Sequence, residues 1–224
     1  MTQLPSSTTW RPRTRDELAQ RVARDIFDGA VVNLGIGQPT RVANHLLPGR
    51  EVVLQSENGI IGMGPPPPEG QEDYDQCNAG KQPVTLLPGG SFVHHADSFA
   101  IMRGGHLDIC VLGAFQVSAR GDLANWHTGE ADAIPGVGGA MDLAAGARQT
   151  WVMMDLLTKA GESKLVERCS YPLTAVACVK RVYGDLATLE CTTEGFRLID
   201  LVDGLTRVEL ESLIGLPVLP PAPA

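Results

Sequence analysis

Hydrophobic and polar positions along the chain alternate between helical and strand-like spacing. Leu18, Val22 and Ile26, flanked by Ala19 and Ala23, recur every three or four residues, which is one face of a helix. Thr14-Arg15-Asp16-Glu17 before them is a capping box, and Gly29 closes the stretch. Short apolar runs rich in β-branched residues predict buried strands over 31–36, 51–55, 108–112, 149–154 and 175–179, with a weaker one over 83–87. Gly37-Gln38-Pro39-Thr40 turns into a helix expected over 40–47. A shorter helix is expected from Asp97, as its cap, to Arg103, stopped by Gly104-Gly105. Late in the chain, 186–191 and 196–202 read as a hairpin around Thr193-Glu194-Gly195. A second capping box, Thr206 to Glu209, opens a last helix that runs to Ile214 and is closed by Gly215.

Strands alternating with helices predict an α/β fold: an open, mostly parallel sheet flanked by helices, with a late antiparallel hairpin. The 224 residues suit a single domain over 14–217, with a flexible arm at 1–13 and a flexible Pro/Ala tail at 218–224. Two stretches show no core face. One is Gly62 to Gly80, with four consecutive prolines at 65–68; the other is Gln116 to Gly139. Long loops inside a compact domain are usually functional or disordered.

Charge narrows the function classes. The net charge is −8 and there is no basic run of five, which argues against a nucleic-acid surface. Cys77, Cys110, Cys169, Cys178 and Cys191 are scattered and lack C-x-x-C spacing, the pattern of reduced thiols in a cytoplasmic protein. Met1 to Arg13 has no apolar core of a signal peptide. No run approaches the ~18 apolar residues of a membrane span, so no membrane partner is expected.

Against that background Glu57 stands out. It follows the run Glu51-Val52-Val53-Leu54-Gln55 and precedes Asn58-Gly59, which favour a sharp turn. A turn glutamate is ordinarily solvated. This one falls where a core strand should stop, the end at which open α/β sheets bind ligands. Gly136-Val137-Gly138-Gly139 is the second informative stretch: without Cβ atoms, its backbone N–H groups can face a ligand closely, as in an oxyanion hole, or simply form a tight turn. Gly35-Ile36-Gly37 invites a dinucleotide fingerprint, with Glu57 near the place of a ribose-binding acid. The third glycine is missing, however, and Pro39 removes a helix-start donor. His94, His95, Asp97, His106 and Asp108 match no metal-ligand spacing and read as a polar loop and a cap.

Five ordered segments carry a resemblance: Gln55-Ser56-Glu57-Asn58-Gly59; Ser98-Phe99 with Arg103 to Asp108; Gly113 to Ser118; Gly121 to Trp126; and Gly138 to Leu143. Together they resemble the B (beta) subunit of the 3-oxoacid CoA-transferases, from about Thr14 to Pro217. His94-His95 and Asn125-Trp126-His127-Thr128-Gly129 are similar to the branch that acts on 3-oxoadipate in aromatic-compound degradation; the acetoacetate-using branch is the alternative.

The resemblance implies that Glu57 is the nucleophile, taking CoA from succinyl-CoA as a glutamyl-CoA thioester and passing it to a 3-oxo acid. It implies that the Gly138 and Gly139 amides serve as oxyanion donors, and it leaves Asn58, Gln116, Asn125, His127 and Arg103 as substrate-binding candidates, with Thr128 beside them for a distal carboxylate. No permanent cofactor or metal is implied; coenzyme A enters as a co-substrate. The implied partner is an A (alpha) subunit in an A2B2 assembly. Water must be kept from the intermediates, and the proline loop at 65–68 is a candidate wall.

Overall fold

The computed structural model describes residues 10–130 and 134–223. In chain order, α1 (Arg15–Asp25) leads to β1 (Val31–Leu34), a 3-10 helix (Gln38–His45), β2 (Val53–Ser56), β3 (Ile60–Met63) and β4 (Leu86–Phe92). Then come α2 (His95–Arg103), β5 (Ile109–Leu112), β6 (Gln116–Ser118), β7 (Leu123–Ala124), α3 (Ala140–Gly146), β8 (Gln149–Met154) and β9 (Leu165–Val166). The chain closes with β10 (Val179–Gly184), β11 (Ala187–Thr192), β12 (Gly195–Leu201), α4 (Arg207–Ile214) and β13 (Val218–Leu219).

Ten strands form one sheet in the order β13-β12-β11-β10-β8-β5-β1-β2-β3-β4. The inner block, β10-β8-β5-β1-β2, is parallel. Its strands are mainly apolar because both faces are covered, with Asn33 and Gln55 as buried polar exceptions. In β5 the alternation is visible residue by residue. Ile109 and Val111 pack in one cluster with Leu18 and Val22 of α1, its cap Ile26, and Val42 of the 3-10 helix. Cys110 and Leu112 face the other way, onto Met102 of α2 and Leu143 and Ala144 of α3. The fold is therefore the expected open, mostly parallel α/β sheet between helices, and the late hairpin is present as β11 and β12.

Several local expectations are corrected. The first helix ends at Asp25, capped at Ile26, and Gly29 sits in the turn beyond, at φ 78°. The cap of α2 is His94, whose Nδ1 accepts from the Ala96 amide, not Asp97. The stretch beginning at Gly62 is not wholly loop: Ile60–Met63 is a strand, antiparallel to both β2 and β4, and β4 begins later and runs longer than 83–87. The second long loop contains β6 and β7, which join β9 in a separate three-stranded sheet. Residues 175–178 are not the start of β10: Ala175 bridges Leu123 of β7, and the strand begins only at Val179. Of the tail, Val218 and Leu219 pair in parallel with Phe196 and Arg197. Of the arm, Arg13 holds Asp200 at 2.5 Å; residues 1–9 lie outside the described residues. All five cysteines are free thiols.

Candidate active site

The strand order places a crevice. From β1 the chain moves to β2 on one side, then returns to lay β5 on the other, so the order reverses beside β1. Ligands bind outside the carboxyl ends of the strands at such a switch point. Gly35-Ile36 after β1, Glu57 after β2, Gly113-Ala114-Phe115 after β5 and Asp155 after β8 all line one cavity of about 420 Å³ there. Gly35 lets the chain turn at this spot: its amide donates to Val111 O at 2.8 Å, and an added Cβ would come within 3.0 Å of that same oxygen.

Glu57 is held on a three-residue hairpin loop. Ser56 pairs with Ile60, and Glu57, Asn58 and Gly59 span between them. The loop needs a glycine at its end: Gly59 has φ 111°, and a Cβ there would strike Val93 O. Beneath it lies a buried polar ladder. Asn33 Nδ2 donates to Gln55 Oε1 at 2.6 Å, and Gln55 Nε2 donates to Ser98 Oγ at 2.7 Å. Ala79 N donates to Ser56 Oγ at 3.0 Å, and Asn58 Nδ2 to Cys77 O at 2.7 Å. A satisfied buried network of this kind fixes the backbone from which Glu57 projects.

The Glu57 side chain is half-buried. Burial pushes its carboxyl above the ordinary glutamate value; His95 opposes that shift and Asp142 adds to it. His95 stands on α2, its ring 4.7 Å from that of Phe99. Gly139 lies against the carboxylate. A Cβ on Gly139 would overlap Glu57 Oε2 and lie 3.4 Å from Phe99 Cζ. Gly139 caps α3 with φ −85°, and neither its amide nor that of Gly138 is spent on a backbone carbonyl among the described residues. A carboxylate of raised pKa, packed on Gly139 in a crevice with two unspent backbone amides nearby in sequence, is a candidate for covalent chemistry.

The structure gathers some of the expected residues and separates others. Glu57, Gly138, Gly139 and Asn125 share the cavity. Asn125 is held by Gly113 O at 3.0 Å and Thr174 Oγ1 at 2.6 Å. Gln116 is outside it, its Oε1 accepting from the Ser170 amide at 2.9 Å. His127 is outside too, accepting from the Gly129 amide at 2.8 Å. Arg103 reaches Asp142 at 2.6 Å rather than the cavity, and Asn58 is spent on Cys77. Pro66 and Pro67 wall a neighbouring groove, not the Glu57 cavity. Lys164 and Asp155 line the cavity and were not anticipated from the sequence. Among the described residues no three His, Cys, Asp or Glu side chains are grouped to hold a metal ion, and no helix is long and apolar enough to cross a membrane.

The switch-point crevice with its turn glutamate matches a known class: residues 15–207 fit the model of the coenzyme A transferase family, and the chain belongs to that family. It is 63% identical over 212 residues to the B (beta) chain of 3-oxoadipate CoA-transferase from Pseudomonas putida, covering 95% of this chain and 99% of that one. The corresponding B chain of succinyl-CoA:3-ketoacid coenzyme A transferase from Helicobacter pylori is 46% identical, covering 86% and 92%. Among solved structures, glutaconate coenzyme A-transferase of Acidaminococcus fermentans superposes with a TM-score of 0.67 at 17% identity, covering 96% of this chain and 92% of that one, a likeness of fold.

Proposed function

We propose that the chain is the B (beta) subunit of an enzyme that moves CoA from succinyl-CoA to 3-oxoadipate, with Glu57 as nucleophile. The observation that carries this is the Glu57 carboxylate, raised in pKa by burial and packed on Gly139 in the switch-point crevice. A Glu57 oxygen attacks the thioester carbonyl, the C–S bond breaks, and a mixed anhydride and CoA thiolate result. The thiolate then attacks the Glu57 carbonyl of the anhydride and releases succinate, leaving CoA as a thioester on Glu57. The acceptor acid reverses both steps. Covalent catalysis divides one difficult exchange into easier ones and conserves the thioester's free energy.

Each attack creates an oxyanion, and removing one preorganised donor from such a site costs about 3 kcal/mol in the transition state. The Gly138 and Gly139 amides are the proposed donors. The similarity to proteins named as one of two kinds of subunit supports an A (alpha) partner, proposed as an A2B2 complex. Ile36 and Phe115, exposed at the cavity mouth, are apolar surface suited to that contact.

The test is to charge the A–B complex with succinyl-CoA, reduce it with borohydride, and map the modified residue by mass spectrometry. Reduction at Glu57 with loss of activity is expected, and a Glu57→Ala variant should form no adduct. Turnover by that variant at the wild-type rate refutes the assignment. Rates with 3-oxoadipate against acetoacetate separate the two acceptor branches.

A further inference from the structure

We propose that Lys164 receives the second carboxylate of the dicarboxylic substrate, and so selects dicarboxylic over monocarboxylic 3-oxo acids. This rests on the function proposed above. Among the described residues, the charged ones lining the Glu57 cavity are Glu57, Asp155 and Lys164, so Lys164 is the basic residue of that lining. Its backbone is clamped on both sides. Its amide donates to Leu156 O at 2.9 Å, just past β8, and its carbonyl accepts from Val117 of β6 at 3.0 Å. The side chain is thereby presented from a rigid three-stranded unit, next to β9.

Lys164 is half-buried, and its ammonium makes no ion pair with any described carboxylate. Burial draws its pKa down, while Asp155 and Asp185 act in the opposite sense from a distance. A partly desolvated cation without a contact partner carries an energetic cost that an incoming carboxylate relieves. The other basic candidates are already engaged or stand outside. Arg103 is paired with Asp142 and its side chain is 64% exposed, and His127 accepts from Gly129 beyond the cavity. A substrate lacking the second carboxylate leaves Lys164 unsatisfied, which is how a polar site rejects an apolar analogue.

The experiment follows discharge of the Glu57–CoA adduct in the A–B complex. The adduct is formed from succinyl-CoA, freed of excess donor, and mixed with 3-oxoadipate or with its one-carboxylate analogue 3-oxohexanoate. In Lys164→Gln the ratio of the two second-order rate constants is expected to fall about 10- to 100-fold, the worth of one charge-assisted hydrogen bond. Lys164→Arg, which keeps the charge, is expected to restore most of it. An unchanged ratio, with both rates reduced equally or neither reduced, overturns the proposal. Failure of the wild-type adduct to form, or to be discharged by 3-oxoadipate, instead overturns the function on which it rests. A measurement on the wild-type complex needs no variant: succinate should protect Lys164 from competitive acetylation and butyrate should not. Protection by both or by neither also overturns it.

Discussion

Replacing Gly139 with alanine tests the closest contact in the site. The backbone is no obstacle, because Gly139 has φ −85° and ψ 5°, which any L-residue adopts. Nor is Phe99, whose Cζ would stand 3.4 Å from the new methyl, an ordinary contact. The conflict is with the Glu57 carboxyl, whose Oε2 and Cδ both lie inside normal contact distance of the added carbon. To regain normal contact the carboxylate retreats by roughly 1 Å, and a displacement of that size in a reacting group costs on the order of 10²-fold in rate. That corresponds to about 2.7 kcal/mol of transition-state stabilisation. The fold should hardly notice, since Gly→Ala at a compatible position changes stability by about 1 kcal/mol or less, worth roughly 2–4 °C. The assay is single-turnover formation of the Glu57–CoA adduct, read by intact mass, beside a thermal melt. A hundredfold slower adduct with Tm within about 4 °C of wild type is expected. Adduct formation within about threefold of wild type would refute the claim that Gly139 sets the position of the proposed nucleophile.

Three further outcomes follow from the same geometry. Burial raises the Glu57 carboxyl, so between its unfolded and folded values the native state binds more protons, and stability falls as pH rises through that window. Glu57→Gln should therefore melt higher than wild type at pH 8, with the gap closing as pH falls towards about 4; a gap independent of pH would contradict the sign. Arg103→Ala removes the partner of Asp142, which already pushes Glu57 upward, so the acid limb of kcat/KM should move to higher pH. A rise in KM without that movement would instead make Arg103 a substrate ligand. Thr206→Ala breaks a capping box whose hydroxyl accepts from the Glu209 amide, costing about 1 kcal/mol and roughly 2–4 °C of Tm, with adduct formation at the wild-type rate. An unchanged melt would show that the cap carries no weight.

Much of this was legible along the chain, because the governing interactions are local. Both capping boxes, at Thr14 and Thr206, are written within four residues, and each forms as read. Strand β8 matches its expected run from Gln149 to Met154, since a strand buried on both faces is mainly apolar, here Trp151 to Met154. The fold class and the place of Glu57 at a strand end followed from the same patterns. Strand β3 escaped notice because Ile60-Ile61 is short and Gly62 interrupts it; pairing with β2 and β4, not its own period, makes it a strand. The pieces β6, β7 and β9 are too short to carry a period and exist only by mutual pairing.

The site divides along the same line. The identity of the acid and of the glycines opposite it is a matter of sequence. That a Cβ on Gly139 would overlap Glu57, that Arg103 turns away to Asp142, and that Lys164 shares the cavity were decided by tertiary structure. The reason is physical: the reversal of strand order beside β1 brings together loops far apart in the chain, and no local spacing records which loop ends will meet at a switch point.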